Sequence, residues 1–271
     1  MIAIIHAIIL GIVEGLTEFL PISSTGHIIV AKNVLGYQDA AQTFTVVIQI
    51  GAVGAIAWYY RIDLWKRITQ FFEGSKSAQK FWINLVIATI PAGLAGLALD
   101  KTMEKYSVPS TVAVALIIGG VILLMAEKKF ATASHTTKLE LDEITPKQAL
   151  GVGLAQVVSL IPGVSRSGAT IVGGMFAGLN RLTAATFSFY MSLPILGLAC
   201  LYKLVKARHE LGNLPGGSLS LVVGTIAAFI SALAVVSWLL KYISNHDFKP
   251  FAYYRILFGM FVLILAGLGL L

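Results

Sequence analysis

One cysteine, Cys200, occurs in 271 residues, so the chain holds no internal disulfide framework; a lone thiol reads as filling space in a helix. Charge is also scarce. Only 12% of residues are charged, about half the fraction usual in a soluble globular domain. There is no P-loop, no GxGxxG and no paired CxxC. The N-terminus lacks a basic n-region and a small-residue cleavage site, so a removable signal peptide is not expected. The formal charge of +7 comes without any sustained basic helix interleaved with aromatics. That argues against nucleic acid and for loop lysines beside an anionic membrane surface.

What the chain does have is apolar length. Hydrophobic residues make up 57%, mean hydropathy is +0.83, and 26 glycines permit close helix packing in lipid. The expected fold is an all-α polytopic membrane protein. Six stretches, 42–60, 82–99, 109–127, 183–204, 219–240 and 252–270, approach the 20 or so residues a hydrocarbon core requires. Pro91 and Pro194 interrupt two of them, as membrane helices tolerate, and are candidate kinks. Residues 1–40 and 148–181 fit this template badly. Each has a short apolar arm, a break rich in Ser, Gly and Pro, then a second short arm, and each reads as a re-entrant hairpin shielded by protein.

These two segments are copies. A shift of 142 aligns Gly11 with Gly153, Glu14 with Gln156, Thr17 with Ser159, Ser23 with Ser165, Ser24 with Arg166, Thr25 with Ser167 and Gly26 with Gly168. The chain thus divides into a first repeat (1–130), a linker (131–147) and a second repeat (148–271), together forming one membrane domain. Each repeat is a hairpin plus three spans, and an odd number of spans inverts the second copy relative to the first. Loops 61–81, 128–147 and 241–250, with the turn at Arg181, carry twelve Lys or Arg, whereas the opposite side carries six. The richer side should be cytoplasmic, which places both termini outside. Loop 61–81, with FFEG and FW flanked by lysines, is expected to lie partly on the membrane surface.

The polar residues concentrate in the hairpins. Glu14 and Glu18, spaced i, i+4, stack on one helix face. Their candidate roles are holding a divalent metal, orienting His27 or carrying a proton; the bland alternative is a glutamate reaching the headgroups. Ser23, Ser24 and Thr25, followed by Gly26, sit at a helix break. Any one of these hydroxyls could simply cap the next helix, but together they form a concavity suited to an anion. His27 follows Ser24 at i, i+3 and is a candidate general base or nucleophile, against a packing role. Arg166, in VSRSGAT, has no acid close in sequence and requires an anionic partner in hydrocarbon. Its planar fork suits phosphate, with Ser165, Ser167, Gly168 and Thr170 supplying further donors; the structural alternative is an ion pair with Glu14 or Glu18. Gln156 is expected to hydrogen-bond across the hairpin contact. His6, His135, His209 and His246 read as structural or solvated. Two hypotheses of different class follow: a membrane enzyme cleaving phosphate from a lipid, or a transporter or flippase for a phosphate-bearing lipid or anion. Glu14, Glu18, Ser24 and His27 are more reactive equipment than anion binding needs.

EGLTEFLPISSTGH at 14–27 and PGVSRSGAT at 162–170 resemble the two signatures of the bacterial undecaprenyl-diphosphate phosphatase family, also called the bacitracin-resistance protein family. The resemblance extends through 42–60 and RLTAATFSF at 181–189 and covers essentially the whole chain. It implies hydrolysis of undecaprenyl diphosphate to undecaprenyl phosphate and inorganic phosphate, which recycles the lipid carrier for peptidoglycan. It also implies residence in the bacterial plasma membrane, a site open to the outer face, and bacitracin resistance through competition for the substrate rather than binding to the protein. The family's acidic pair falls on Glu14 and Glu18, its serine and histidine on Ser24 and His27, and its arginine motif on Ser165, Arg166, Ser167 and Thr170. A divalent cation, Mg or Ca, is implied without fixing its ligands, Glu14 and Glu18 being the candidates; no organic cofactor is implied. A homodimer is left open. The mechanism expected from this is attack by Ser24 on the terminal phosphorus, His27 taking the proton, Glu18 orienting His27 and Arg166 binding phosphate. In the rival version, water held by metal, Glu18 and His27 attacks.

Overall fold

The structure is a computed structural model that describes residues 1–37, 39, 42–130, 140–206 and 214–271. Among them the elements are all helical: α1 (Ile2–Thr17), α2 (Ser24–Leu35), α3 (Thr43–Tyr59), α4 (Arg61–Phe72), α5 (Lys76–Lys105), α6 (Pro109–Lys129), a short 3-10 turn (Leu141–Glu143), α7 (Pro146–Val158), α8 (Arg166–Phe176), α9 (Arg181–Lys206), α10 (Gly217–Ile243) and α11 (Lys249–Gly267). Five helices, α5, α6, α9, α10 and α11, are long and apolar enough to cross a membrane; α3 qualifies together with α4, from which it is bent by 70°. The chain is therefore a multi-pass membrane protein, and the six expected spans correspond to these helices. Pro91 and Pro194 both lie within continuous helices.

The outside of the bundle is apolar, as lipid requires. Val222, Ile226 and Ile230 form an exposed i, i+4 stripe on α10, and Leu257, Phe261 and Ile264 form one at i, i+4 and i+7 on α11. Inside, helices cross at glycine. A methyl group at Gly11 of α1 would overlap the Gly224 carbonyl of α10, and one at Gly51 of α3 would overlap the Thr225 carbonyl of that helix. Gly153 of α7 meets Ala88 of α5 in the corresponding way. Small residues thus let backbones approach, which is how helices associate where apolar burial offers little.

Hairpin one is α1 and α2, and hairpin two is α7 and α8. No arm exceeds 16 residues, about 24 Å of helix at 1.5 Å per residue. The starts of the second arms match to the residue. Each second arm begins after a serine with positive φ, Ser23 (φ 70°) and Ser165 (φ 72°), at the offset of 142 seen in the sequence. Pro21 and Pro162 explain why the first arms stop, since proline removes an N–H donor and biases its predecessor away from helix. Pairing is also exchanged between halves: α1 packs on α10 and α7 on α5, while α6 packs on α11 and α3 on α9.

Three expectations change in detail. The 131–147 linker lies partly outside the described residues, but its 140–147 part is packed: Asn84 Nδ2 donates to the Ile144 carbonyl at 2.6 Å and Arg67 pairs with Asp142 at 2.6 Å. Arg181 is no loop cation; it is buried, donating to Glu127 at 2.7 Å, and Glu127 also accepts from the Phe248 backbone N–H at 3.1 Å. Loop 61–81 is largely helical, and α4 buries no residue while exposing Ile62, Trp65 and Phe72. His135 and His209 lie outside the described residues.

Candidate active site

The two broken tips meet. Phe19 and Ile22 of the first share a core with Ile171 and Met175 of the second hairpin and with Phe189 of α9. Ser167 Oγ donates to the Leu20 carbonyl at 2.8 Å, tying one tip directly to the other. In each tip the serine before the helix sits in a backbone conformation that costs a non-glycine residue on the order of 1–3 kcal/mol. At Ser165 the conformation turns Oγ onto the Gly168 N–H at 3.1 Å, an N-cap that gives α8 its start.

A chain of charge-assisted bonds crosses the contact. Ser24 Oγ donates to Glu18 Oε2 at 2.6 Å, and Glu18 Oε1 accepts from Arg166 Nη2 at 3.0 Å. Glu18 is 6% exposed, so these bonds are made away from competing water. Arg166 Nη1 donates to the Ser188 carbonyl at 3.1 Å, and Ser188 Oγ lies 2.6 Å from Thr170 Oγ1. Arg166 Nε is buried without a partner, leaving one donor for an incoming oxygen. Ser165 Oγ and Ser167 Oγ are 3.0 Å apart beside it.

His27 stands differently from expectation. Its Nδ1 lies 2.8 Å from the Ser23 carbonyl and its Nε2 2.7 Å from the Tyr254 hydroxyl. A carbonyl only accepts, so Nδ1 carries a proton, and when the ring is neutral Nε2 accepts from Tyr254. The ring stacks on Phe258 at 4.2 Å. The Ser24 hydroxyl points to Glu18 and not to His27, and Glu18 orients Ser24 and Arg166 rather than His27. The structural alternative for Arg166, pairing with Glu18, is thus realised, with Nε still free.

Glu14 is buried close to Glu18 and Gln49, but among the described residues neither of its carboxylate oxygens has a partner in hydrogen-bond geometry. Gln156, at its repeat position, is likewise buried with both amide atoms unpartnered, so the expected cross-hairpin bond is absent. Among the described residues no group of three or more His, Cys, Asp and Glu side chains is gathered as a metal cage. Two orphaned carboxylate oxygens do fit a hard cation of the magnesium type, which is commonly held by one or two carboxylates and substrate phosphate oxygens. Thr25 is half-buried, and Gly26 packs against Leu116.

Three contributors escaped the sequence reading: Ser188, Tyr254 and Arg255. Arg255 is 2% exposed in α11, and carries the signal that singled out Arg166, a lone cation in an apolar span.

Matched broken helices inside an apolar bundle, joined by a serine–carboxylate–guanidinium chain, define a multi-pass membrane protein with a site built for anionic chemistry. The chain belongs to the family described as bacitracin resistance protein BacA, whose model matches residues 7–261. It is 48% identical to undecaprenyl-diphosphatase 1 of Burkholderia lata, over 99% of this chain and 97% of that protein. It is 47% identical to the undecaprenyl-diphosphatase of Nitrosomonas eutropha, over 99% of this chain and 96% of the relative.

Proposed function

We propose that this protein hydrolyses undecaprenyl diphosphate to undecaprenyl phosphate and inorganic phosphate, recycling the lipid carrier for peptidoglycan and so conferring bacitracin resistance. The observation that carries the chemistry is the Ser24–Glu18–Arg166 chain across the two hairpins, with a free donor on Arg166. The polyprenyl tail lies against the apolar helices while the diphosphate reaches the tips. Arg166 Nε, with Ser165, Ser167 and the start of α8, binds phosphate oxygens and stabilises charge on the transferring group.

Ser24 Oγ attacks the terminal phosphorus and passes its proton to Glu18. The new Oγ–P bond forms as the bond to the bridging oxygen breaks, and undecaprenyl phosphate leaves. Water then adds to the phosphorus as the Oγ–P bond breaks, Glu18 returns the proton to Ser24 Oγ, and both water protons depart with phosphate. Glu14, with Glu18, is the place for a divalent cation, whose charge would offset that of the diphosphate. His27, held by Ser23 and Tyr254, fixes the first turn of α2 and hence Ser24.

The same reading extends to topology. The halves are inverted repeats, 1–130 and 148–271, in the bacterial plasma membrane, with hairpins entering from opposite faces and both termini outside. The site opens outward, and α4 lies along the cytoplasmic surface. The excess of Lys and Arg on one set of loops and the exchanged helix pairing support this.

The test is phosphate release from undecaprenyl diphosphate by the purified protein in micelles, with no gradient, beside Arg166→Ala. Release abolished by Arg166→Ala is expected. No release, combined with lipid movement across liposomes, overturns the reading in favour of transport. Trapped phosphoserine at position 24 is expected during turnover; a fully active Ser24→Ala protein rules out attack by the side chain.

A further inference from the structure

Arg255 is buried with no carboxylate in ion-pair distance among the described residues. The hydrogen bonds of its guanidinium all run to backbone carbonyls. Nη1 donates to Pro21 at 3.1 Å; Nη2 reaches Val164 at 2.8 Å, Gly163 at 3.3 Å and Ala115 at 3.4 Å; Nε reaches Leu116 at 3.4 Å. Pro21 belongs to the break of the first hairpin, Gly163 and Val164 to that of the second, and Ala115 and Leu116 to α6. Under the repeat offset of 142, Pro21 and Gly163 are the same position in the two copies. One cation therefore holds the corresponding carbonyl of both tips.

A charge left in a low-dielectric interior without an opposite charge is costly, and is tolerated only where dipoles surround it. The carbonyls gain as well, because a helix break frees acceptors that lipid cannot satisfy. Nε and both N–H groups of Nη2 are spent in this way, and Nη1 gives one of its two to Pro21. We propose that Arg255 is a positioning residue that sets the register of the two tips, so that Ser24 and Glu18 on one lie against Arg166 on the other. Val164 strengthens the assignment. In a trans peptide the N–H of Ser165 points opposite to the Val164 carbonyl. Holding that carbonyl at 2.8 Å therefore turns the Ser165 N–H away from Arg255. Gly119 of α6 gives the guanidinium its room: a methyl group there would overlap Nη2.

This inference rests on the phosphatase reading, and the test separates the two. Arg255→Gln, Arg255→Lys and Gly119→Ala are assayed beside Gly93→Ala, a control whose nearest neighbour would stand 4.0 Å away. Loss of register by about an ångström predicts a kcat lowered about 10²-fold in Arg255→Gln. KM stays within about threefold, because the phosphate donors of Arg166 remain. Arg255→Lys, which keeps the charge but not the fork, recovers part of kcat, and Gly119→Ala falls although it keeps the arginine. Hydrogen exchange is read in parallel on residues 18–24 and 160–168, which should exchange faster together while α10 is unchanged. If Arg255→Gln does not fold, Arg255→Lys and Gly119→Ala carry the comparison. Wild-type kcat in the folded fraction of these variants, or unchanged exchange at the tips, overturns the proposal. A wild-type protein that releases no phosphate refutes the phosphatase reading instead, and the exchange arm still decides the clamp.

Discussion

Replacing Glu18 with glutamine separates two assignments of the base. The amide still accepts from Ser24, 2.6 Å away, but no longer takes its proton at neutral pH. Loss of a general base lowers the rate by about 10²–10⁴, roughly 3–5 kcal/mol on the barrier. His27→Phe is the counterpart. It keeps the stack on Phe258 and deletes the bonds to Ser23 and Tyr254. Two hydrogen bonds at about 0.5–1.5 kcal/mol each give about 1–3 kcal/mol, or roughly 10–10²-fold if all of it is expressed in the transition state. The expected order is therefore a larger fall in kcat for Glu18→Gln than for His27→Phe. Glu18→Gln also breaks a buried pair with Arg166, which costs on the order of 3–5 kcal/mol of stability, so kcat is taken per folded molecule from thermal unfolding of the same preparation. Substrate should partly restore that stability by giving Arg166 a new anion, whereas it should not restore kcat. The reverse order, with His27→Phe inactive and Glu18→Gln near normal, refutes Glu18 as the proton acceptor.

Tyr254→Phe removes only the hydroxyl on His27 Nε2, so kcat should fall less than about tenfold, the worth of one hydrogen bond, with no change in folded yield. Glu127→Ala leaves Arg181 and the Phe248 N–H without their buried acceptor, and a loss of about 3–5 kcal/mol should appear in thermal unfolding, activity being lost only as the protein unfolds. Asp142 gives a pH signature on the α4 side. Burial raises its pKa, but the hydrogen bond and charge of Arg67 outweigh this and hold it below the ordinary carboxylate range. A depressed folded-state pKa stabilises above the unfolded value, near 4, and that contribution is lost as pH falls through the folded one. The pair is partly exposed, so less than about 1 kcal/mol is at stake. Tryptophan fluorescence, Trp82 Nε1 being bonded to the Arg67 carbonyl, should show an acid transition that Asp142→Asn abolishes.

The spans were legible because apolar length is a one-dimensional quantity, and the hairpins because their arms stop short at Pro21 and Pro162. The copies were legible at the breaks, where Ser23 and Ser165 share even the unusual backbone. The pairing of Ser24 with His27 was misread for a local reason. Both residues lie in the first turn of α2, but Ser24, its first residue, turns its hydroxyl onto Glu18, while the His27 ring reaches Ser23 and Tyr254. Tyr254 meets His27 across 227 residues, a pairing no spacing rule conveys. Ser188 was already within the RLTAATFSF stretch, but its role is to accept from Arg166 through a main-chain oxygen as well as a hydroxyl. Arg255 did carry a signal, the same as Arg166, yet its partners are carbonyls, and any sequence supplies those everywhere.

Satisfying the backbone and aligning the site are, in this fold, one set of contacts. Breaking a helix inside an apolar bundle frees carbonyls that must find donors. The Leu20 carbonyl takes Ser167 Oγ from the opposite hairpin, and the Pro21 carbonyl takes Arg255. Both donors come from the second half, so the first break is satisfied only when the halves are docked. The helices that carry the docking, α6 and α11, are the last of each half and pack on each other. A glycine at 163 lets the second tip lie directly on α6, where a methyl group would stand 2.6 Å from the Val112 carbonyl. Separating the tips would therefore expose polar backbone at two places as well as parting Glu18 from Arg166. The Ser24–Glu18–Arg166 chain thus spans a contact whose opening also strips the Leu20 and Pro21 carbonyls of their donors.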